Sequence, residues 1–168
     1  GNLRYTIKGG ELVRLQEELD YVDRYILLQK TRLGGRLEVT KKINPKVNLA
    51  VIPKISIQML VENAIIHGMP ENGAVVHIII RVCMENNRLL ISVYDDGKGI
   101  LPEKVKELND IFSGKSADTG NSIGLPNLAS RLKILYQGEA GLFLESQGDQ
   151  FTEVKMELPI RKRENENV

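Results

Sequence analysis

Three stretches of this 168-residue chain combine residue types that chemistry can use at spacings a regular element would impose. In the first, Leu60-Val61-Glu62-Asn63-Ala64-Ile65-Ile66-His67-Gly68, the apolar positions Ile57, Leu60, Val61, Ala64 and Ile65 fall on one face of a helix. Asn63 and His67, four residues apart, share a polar stripe beside that face with Ser56 and Met59. The carbonyl oxygen of Asn63 is a hard donor suited to Mg²⁺, which in turn holds phosphates. Glu62 projects roughly a quarter turn away, where a carboxylate could serve as a base. Alone, the same residues also read as an ordinary helix end whose Asn and His bond local backbone.

The second stretch, Val93-Tyr94-Asp95-Asp96-Gly97-Lys98-Gly99-Ile100, sits where an apolar strand ends. Its alternating glycines allow backbone to approach a ligand closely, and a carboxylate at a strand end can accept a hydrogen bond from an exocyclic amine. Asp-Gly is equally a common turn dipeptide. The third, Thr119-Gly120-Asn121-Ser122-Ile123-Gly124-Leu125-Pro126-Asn127, is a glycine loop running into a helix with proline near its first position. Free N–H groups and the positive end of the helix dipole favour a phosphate there, although a flexible linker before a helix reads the same way. Neither the phosphate-loop lysine pattern nor the dinucleotide G-x-G-x-x-G is present, which disfavours the two commonest nucleotide-binding classes.

Stepping outward to the elements, 11–33 reads as one long helix, with Leu12, Leu15, Leu19, Val22, Ile26 and Leu33 at heptad-like spacing. Such a stripe covers either its own domain's core or a second helix in a dimer; Tyr25, Leu27 and Leu28 widen it beyond a narrow seam. Gly34-Gly35 ends it. A strand follows at 37–43, and Pro53 suits the first turn of a second helix over 54–67. A hairpin is predicted from strands at 75–84 and 89–94 around Glu85-Asn86-Asn87. Helices at 102–109 and 126–136 flank a polar stretch at 113–122, and strands at 142–146 and 152–158 close the chain around Gly148-Asp149. This order predicts an α+β fold, a two-layer sandwich of a mixed sheet with helices on one face and a leading N-terminal helix.

Bulk properties narrow the function class. A formal net charge of +1 gives no reason to expect a nucleic-acid partner, and 42% hydrophobic with 27% charged residues is ordinary for a globular domain. The single cysteine, Cys83, lies in an apolar run and fits a reducing compartment. The apolar runs are too short to span a bilayer.

Each stretch is ambiguous alone, but their order resembles the Bergerat ATP-binding fold of histidine kinases, gyrase-type topoisomerases, Hsp90 and MutL. The Leu-Val-Glu-Asn-Ala-Ile-x-His-Gly box at 60–68 and the Ile-Gly-Leu-x-Asn-x-x-x-Arg-Leu box at 123–132 resemble most the LytS/YesM-type sensor histidine kinases. So does Gln29-Lys30-Thr31-Arg32-Leu33 with Arg36-Leu37. The resemblance covers nearly the whole chain. It implies ATP and Mg²⁺ as cofactors, with Asn63 as metal ligand and Glu62 as general base or polarising carboxylate. His67 would border the triphosphate, Asp95 would accept the adenine amino group, and Gly97 and Gly99 would shape the turn beneath the base. A lid at 113–122 would bring Gly120, together with Gly124, Leu125 and Asn127, to the phosphates, leaving Arg131 a structural or surface partner.

Two positions depart from the family's pattern: Asp96 stands where Asn is usual, and Ser122 where Gly is common. A left-handed backbone at Ser122 would cost about 1 kcal/mol more than at glycine. The only histidines are His67 and His77, neither on the leading helix, so the expected phosphoacceptor lies upstream of Gly1. The resemblance divides the chain into 1–34, the end of a dimerisation or linker helix; 35–162, the ATP-binding catalytic domain; and 163–168, a charged tail. It implies a homodimer in the full-length protein, a response regulator as partner, and a cytoplasmic domain of a bacterial inner-membrane sensor. Rival expectations are an ATP-clamp ATPase of the gyrase, Hsp90 or MutL kind, a serine-specific anti-sigma-type kinase, and a non-catalytic nucleotide-binding module.

Overall fold

In a computed structural model, which describes residues 4–7, 10–118 and 124–160, the hairpin at the centre of the chain organises everything else. Strand β5 (Val76–Glu85) alternates buried Val76, Ile78, Ile80 and Val82 with more exposed neighbours, the period of a sheet with one face covered. It turns through Asn86 and Asn87, at φ of 53° and 61°, into β6 (Arg88–Asp95). Paired left-handed residues give the two-residue turn that matches strand twist, and Asn tolerates that conformation better than most side chains. Strand β8 (Phe151–Pro159) pairs antiparallel with β6, and β7 (Gly141–Gln147) with β8. Strand β3 (Leu37–Ile43) joins β5 in parallel, giving a mixed five-stranded sheet of order β3-β5-β6-β8-β7.

Four helices, α1 (Leu15–Leu33), α2 (Ser56–Gly68), α3 (Pro102–Phe112) and α4 (Leu125–Tyr136), cover one face, the two-layer α+β sandwich expected. Ile57, Leu60, Val61, Ala64 and Ile65 of α2 are all buried in one core with Ile78, Ile80, Ile91, Val93, Val154 and Met156 of the sheet. Helix α3 is held to the exposed edge strand β7 by Asn109, whose side-chain amide donates to the Leu144 carbonyl at 2.8 Å and whose carbonyl accepts the Leu144 N–H at 2.9 Å. That pair supplies the missing strand partner and blunts the edge.

Two expectations are corrected at the N-terminal side. Residues 11–14 are not helical: β1 (Arg4–Ile7), β2 (Gly10–Arg14) and β4 (Val51–Pro53) form a second, antiparallel sheet of order β1-β2-β4. Leu12 and Val13 are both buried, and pairing with β4 fills hydrogen bonds that helical periodicity could not foresee. Pro53 does not open α2 but ends β4, opposite Leu12. The leading helix then resolves the choice its stripe left open. Leu15, Leu19, Val22 and Ile26 are buried in the same core as the sheet, while Leu27 and Leu28 are 68% exposed.

Candidate nucleotide site

The site begins at the end of β6. Asp95 is a carboxylate with 2% exposure, one oxygen of which accepts the Gly97 N–H at 3.0 Å. Among the described residues no protein donor meets the second oxygen. Burial pushes this carboxyl up to about 6, the Gly97 N–H pulls it back, and Asp96 adds to the rise. A buried carboxyl with an open acceptor at a strand end is equipped to take an N–H from a ligand.

The loop beyond Asp95 is pinned on both sides by backbone. The Gly68 carbonyl at the end of α2 accepts the Lys98 N–H at 3.0 Å, and a Cβ on Gly97 would overlap that carbonyl. Gly99, at φ +71°, would collide with the Gln147 carbonyl if it carried a side chain. The alternating glycines are therefore already required by close packing of protein on protein. Ser146 finishes the anchoring: its hydroxyl accepts the Ile100 N–H at 2.7 Å, donates to the Phe151 carbonyl at 2.7 Å and meets the Thr152 hydroxyl at 2.8 Å. Thr152 is the β8 partner of Asp95 and is itself buried.

Between this loop, α2, α3 and the start of α4 lies a cleft of about 480 Å³. Of the residues singled out in the sequence, Asn63, His67, Gly99 and Leu125 line it, while Asp95 and Gly97 are not among its lining residues. Lys98, Ile100, Leu101, Lys104, Leu108, Pro126 and Leu144 line it too. Among the described residues, two lysines, a histidine and no carboxylate make the lining favourable to anions, while Ile100, Leu101 and Leu108 offer apolar surface for a flat base. The lysines had no motif to flag them. Lys98 lies inside the D-D-G-K-G run itself, and Lys104 is recognisable only once α3 is seen to wall the cleft.

Other expected residues are placed differently. Glu62 is off the lining: Gln58 donates to it at 3.2 Å, and it faces Tyr25 of α1, whose hydroxyl burial and then Glu62 push up. Ser56 is buried and donates to the Pro53 carbonyl at 2.6 Å, so it does not belong to the polar stripe. Asn127 is exposed in the first turn of α4, and Gly124 precedes that helix at φ 99°. Gly120 and Ser122 lie outside the described residues, which include 113–118 of the expected lid but not 119–122. Arg131 is structural, donating to the Lys54 carbonyl at 2.8 Å just before α2. His77 bridges two carboxylates at the sheet surface, with Nδ1 2.8 Å from Asp96 and Nε2 2.9 Å from Glu38, and the hydrogen bond to Asp96 raises its pKa. That accounts for the unusual Asp96: it turns away from the cleft, toward His77.

A nucleotide fits this set of donors. The buried acceptor Asp95 suits an exocyclic amine, and the basic lining with the first turn of α4 suits phosphates. Among the described residues no cluster of three His, Cys, Asp or Glu could hold a metal by protein ligands alone. A Mg²⁺ here would depend on the Asn63 carbonyl together with phosphate oxygens and water, its usual mode with nucleotides.

Residues 53–162 match the family of histidine kinase-, DNA gyrase B- and HSP90-like ATPases, and the chain belongs to that family. Its similarity within the family runs to sensor kinases. The sensor histidine kinase YpdA of Escherichia coli is 40% identical over 140 residues, 80% of this chain and 23% of that protein. The sensor protein LytS of Bacillus anthracis is 29% identical over 157 residues, 94% of this chain and 26% of that protein. The chain thus spans about a quarter of the length of these relatives. In structure it resembles the catalytic domain of the histidine kinase ThkA, with a TM-score of 0.65 at 14% identity over 97% of this chain and 99% of that one. The histidine kinase AdeS of Acinetobacter baumannii gives 0.60 at 13% identity, over 94% and 70%. At such identities the structural likeness speaks to the fold.

Proposed function

We propose that this chain is the ATP-binding catalytic module of a sensor histidine kinase, passing the γ-phosphoryl group of ATP to a histidine on another segment. The observation that carries the reading is the meeting of Asn63, His67, Gly99 and the start of α4 in one cleft with Lys98 and Lys104, Lys98 following buried Asp95 by three residues. Asp95 accepts the adenine amino group, and Ile100, Leu101 and Leu108 flank the base. Lys98 and Lys104 neutralise phosphate charge, with His67 and the N–H groups at the start of α4 bordering the chain of phosphates. Asn63 would hold Mg²⁺, which would supply positive charge to offset what builds on the transferring group. Phosphoryl transfer asks mainly for positioning and charge neutralisation, which this arrangement provides. Glu62, beside Asn63 on α2 but turned toward Tyr25 of α1, would have to swing toward the cleft to serve as the polarising carboxylate.

Helix α1 is here part of the catalytic domain, since its buried stripe is continuous with the domain's core. The phosphoacceptor and dimerisation elements belong to a segment outside this chain, and the phosphoryl group goes on to a response regulator. Among the described residues no helix is long and apolar enough to cross a membrane. Use of ATP and the lone thiol of Cys83 fit a cytoplasmic location for the module.

Calorimetric titration with a non-hydrolysable ATP analogue tests the reading. Binding should tighten at least tenfold when Mg²⁺ is added, and Asn63→Ala should abolish that gain while leaving the Mg²⁺-free affinity largely intact. Equal affinities with and without Mg²⁺ in the unmodified chain would refute the metal assignment.

A further inference from the structure

The most unusual charge in the fold is Glu18 of α1. Its side chain is completely buried, at 0% exposure, in a helix whose other acidic residues face solvent or lie only partly covered. Its two oxygens accept the N–H groups of Ile55 at 2.7 Å and Gln58 at 3.1 Å. These are donors that the first turn of α2 leaves unsatisfied. A helix is ordinarily capped from within, by Ser, Thr, Asp or Asn at its own first position. Helix α2 has Ile55 there instead, without a capping side chain and at φ 69°, a conformation costly for a β-branched residue. The strained residue is held by the carboxylate of another element. Burial raises the Glu18 carboxyl overall, with the α2 N–H groups and then Arg131 of α4 pulling it back; Arg131 itself binds the Lys54 carbonyl at 2.8 Å, one residue before Ile55.

Placing the cap on α1 ties the position of α2 to that of α1. Ile55 and Asn63 are eight residues apart, about 12 Å along a helix at its usual rise. A helix is stiff on that length, so an axial shift or rotation at its first turn is carried to its last. The far end is held by Arg36, which donates to the Pro70 carbonyl at 2.6 Å just beyond α2. The helix bearing Asn63 and His67 is therefore clamped at both ends by side chains from outside it.

Resting on the proposed Mg²⁺–nucleotide reading, we propose that Glu18 is a positioning residue for phosphoryl transfer: by capping α2 from α1, it sets the placement of Asn63 at the metal–phosphate site. The adenine end is built on β6 and its loop and meets α2 at Gly68, whose carbonyl accepts the Lys98 N–H, whereas Asn63 is carried on α2 itself. Loss of Glu18 should thus damage the metal-dependent part of nucleotide binding more than the rest, whereas a residue that only stabilised the fold would leave their ratio unchanged.

Glu18→Gln and Glu18→Ala can be titrated with the same ATP analogue, with and without Mg²⁺, at a temperature where near-ultraviolet circular dichroism shows each variant folded. The Mg²⁺-free affinity should stay within about threefold of the parent. The Mg²⁺-dependent gain should fall about tenfold in Glu18→Ala and less in Glu18→Gln, which keeps one acceptor. Without nucleotide, the Asn63 side-chain amide resonances should also move in Glu18→Gln, a near-isosteric change that keeps the experiment decisive if Glu18→Ala does not fold. Lower melting temperatures with an unchanged Mg²⁺ gain and unmoved Asn63 resonances would overturn the proposal. Absence of any Mg²⁺ gain in the parent chain would overturn the site reading beneath it, a different and distinguishable result.

Discussion

At the scale of single residues, Asp95 shows function and stability in opposition. Its carboxyl is raised from 3.8 to about 6 by burial. A group whose pKa rises on folding contributes fully to stability below its unfolded value, and that contribution is lost as pH rises through its folded value. At neutral pH the ionised Asp95 therefore costs on the order of 2–3 kcal/mol. Asp95→Asn should raise the melting temperature at pH 7.5 by about 5–10 °C while weakening ATP-analogue binding roughly ten- to a hundredfold. A variant that melted lower, or bound equally well, would contradict the assignment. Between pH 5 and 7.5 the parent's affinity should increase as Asp95 ionises, because an amine donor prefers the carboxylate; the Asn variant should lose this dependence. The sequence made Asp95 legible because two glycines follow it at fixed spacing. It could not show why those glycines are needed, since the carbonyls of Gly68 and Gln147 that crowd them come from distant parts of the chain.

Helix α1 poses the question at the scale of elements. Its stripe of Leu15, Leu19, Val22 and Ile26 was readable, but a stripe does not say what covers it. If α1 belongs to the catalytic domain, Leu19→Ala should cost 2–5 kcal/mol of the stability of the whole domain, seen as one cooperative transition shifted to lower denaturant. If α1 were an appendage, the sheet would unfold at its original midpoint with a separate early loss of helix. Helix α1 starts four residues later than its periodicity predicts because 12–14 pair with β4, a contact about forty residues away in sequence. Pro53 ends β4 rather than opening α2 for the same reason. In both places a tertiary partner overrides a local preference.

On the scale of the whole molecule, the two histidines are accounted for without either being an acceptor. His67 lines the cleft, and His77 is engaged by Glu38 and Asp96 at the sheet surface. Incubated alone with ATP and Mg²⁺, the chain should bind nucleotide yet acquire no acid-labile phosphate, as judged by radiolabel retention under alkaline and acid washes. Label should appear only on a second polypeptide that carries an acceptor helix. Phosphohistidine on this chain alone would overturn the division of labour proposed above.

What the sequence determined by itself was the order of elements around the site and the identity of four of the residues that line it. Asn63, His67, Gly99 and Leu125 sit at element ends whose spacing is local, and local periodicity reports such positions well. Tertiary structure alone decided three things: that Lys98 and Lys104 join the lining, that Glu62 looks toward α1, and that the cap of α2 comes from Glu18. Each depends on which elements pack together. A buried carboxylate in a helix carries no mark in sequence until the N–H groups that justify its burial are known, and for Glu18 those lie about forty residues away.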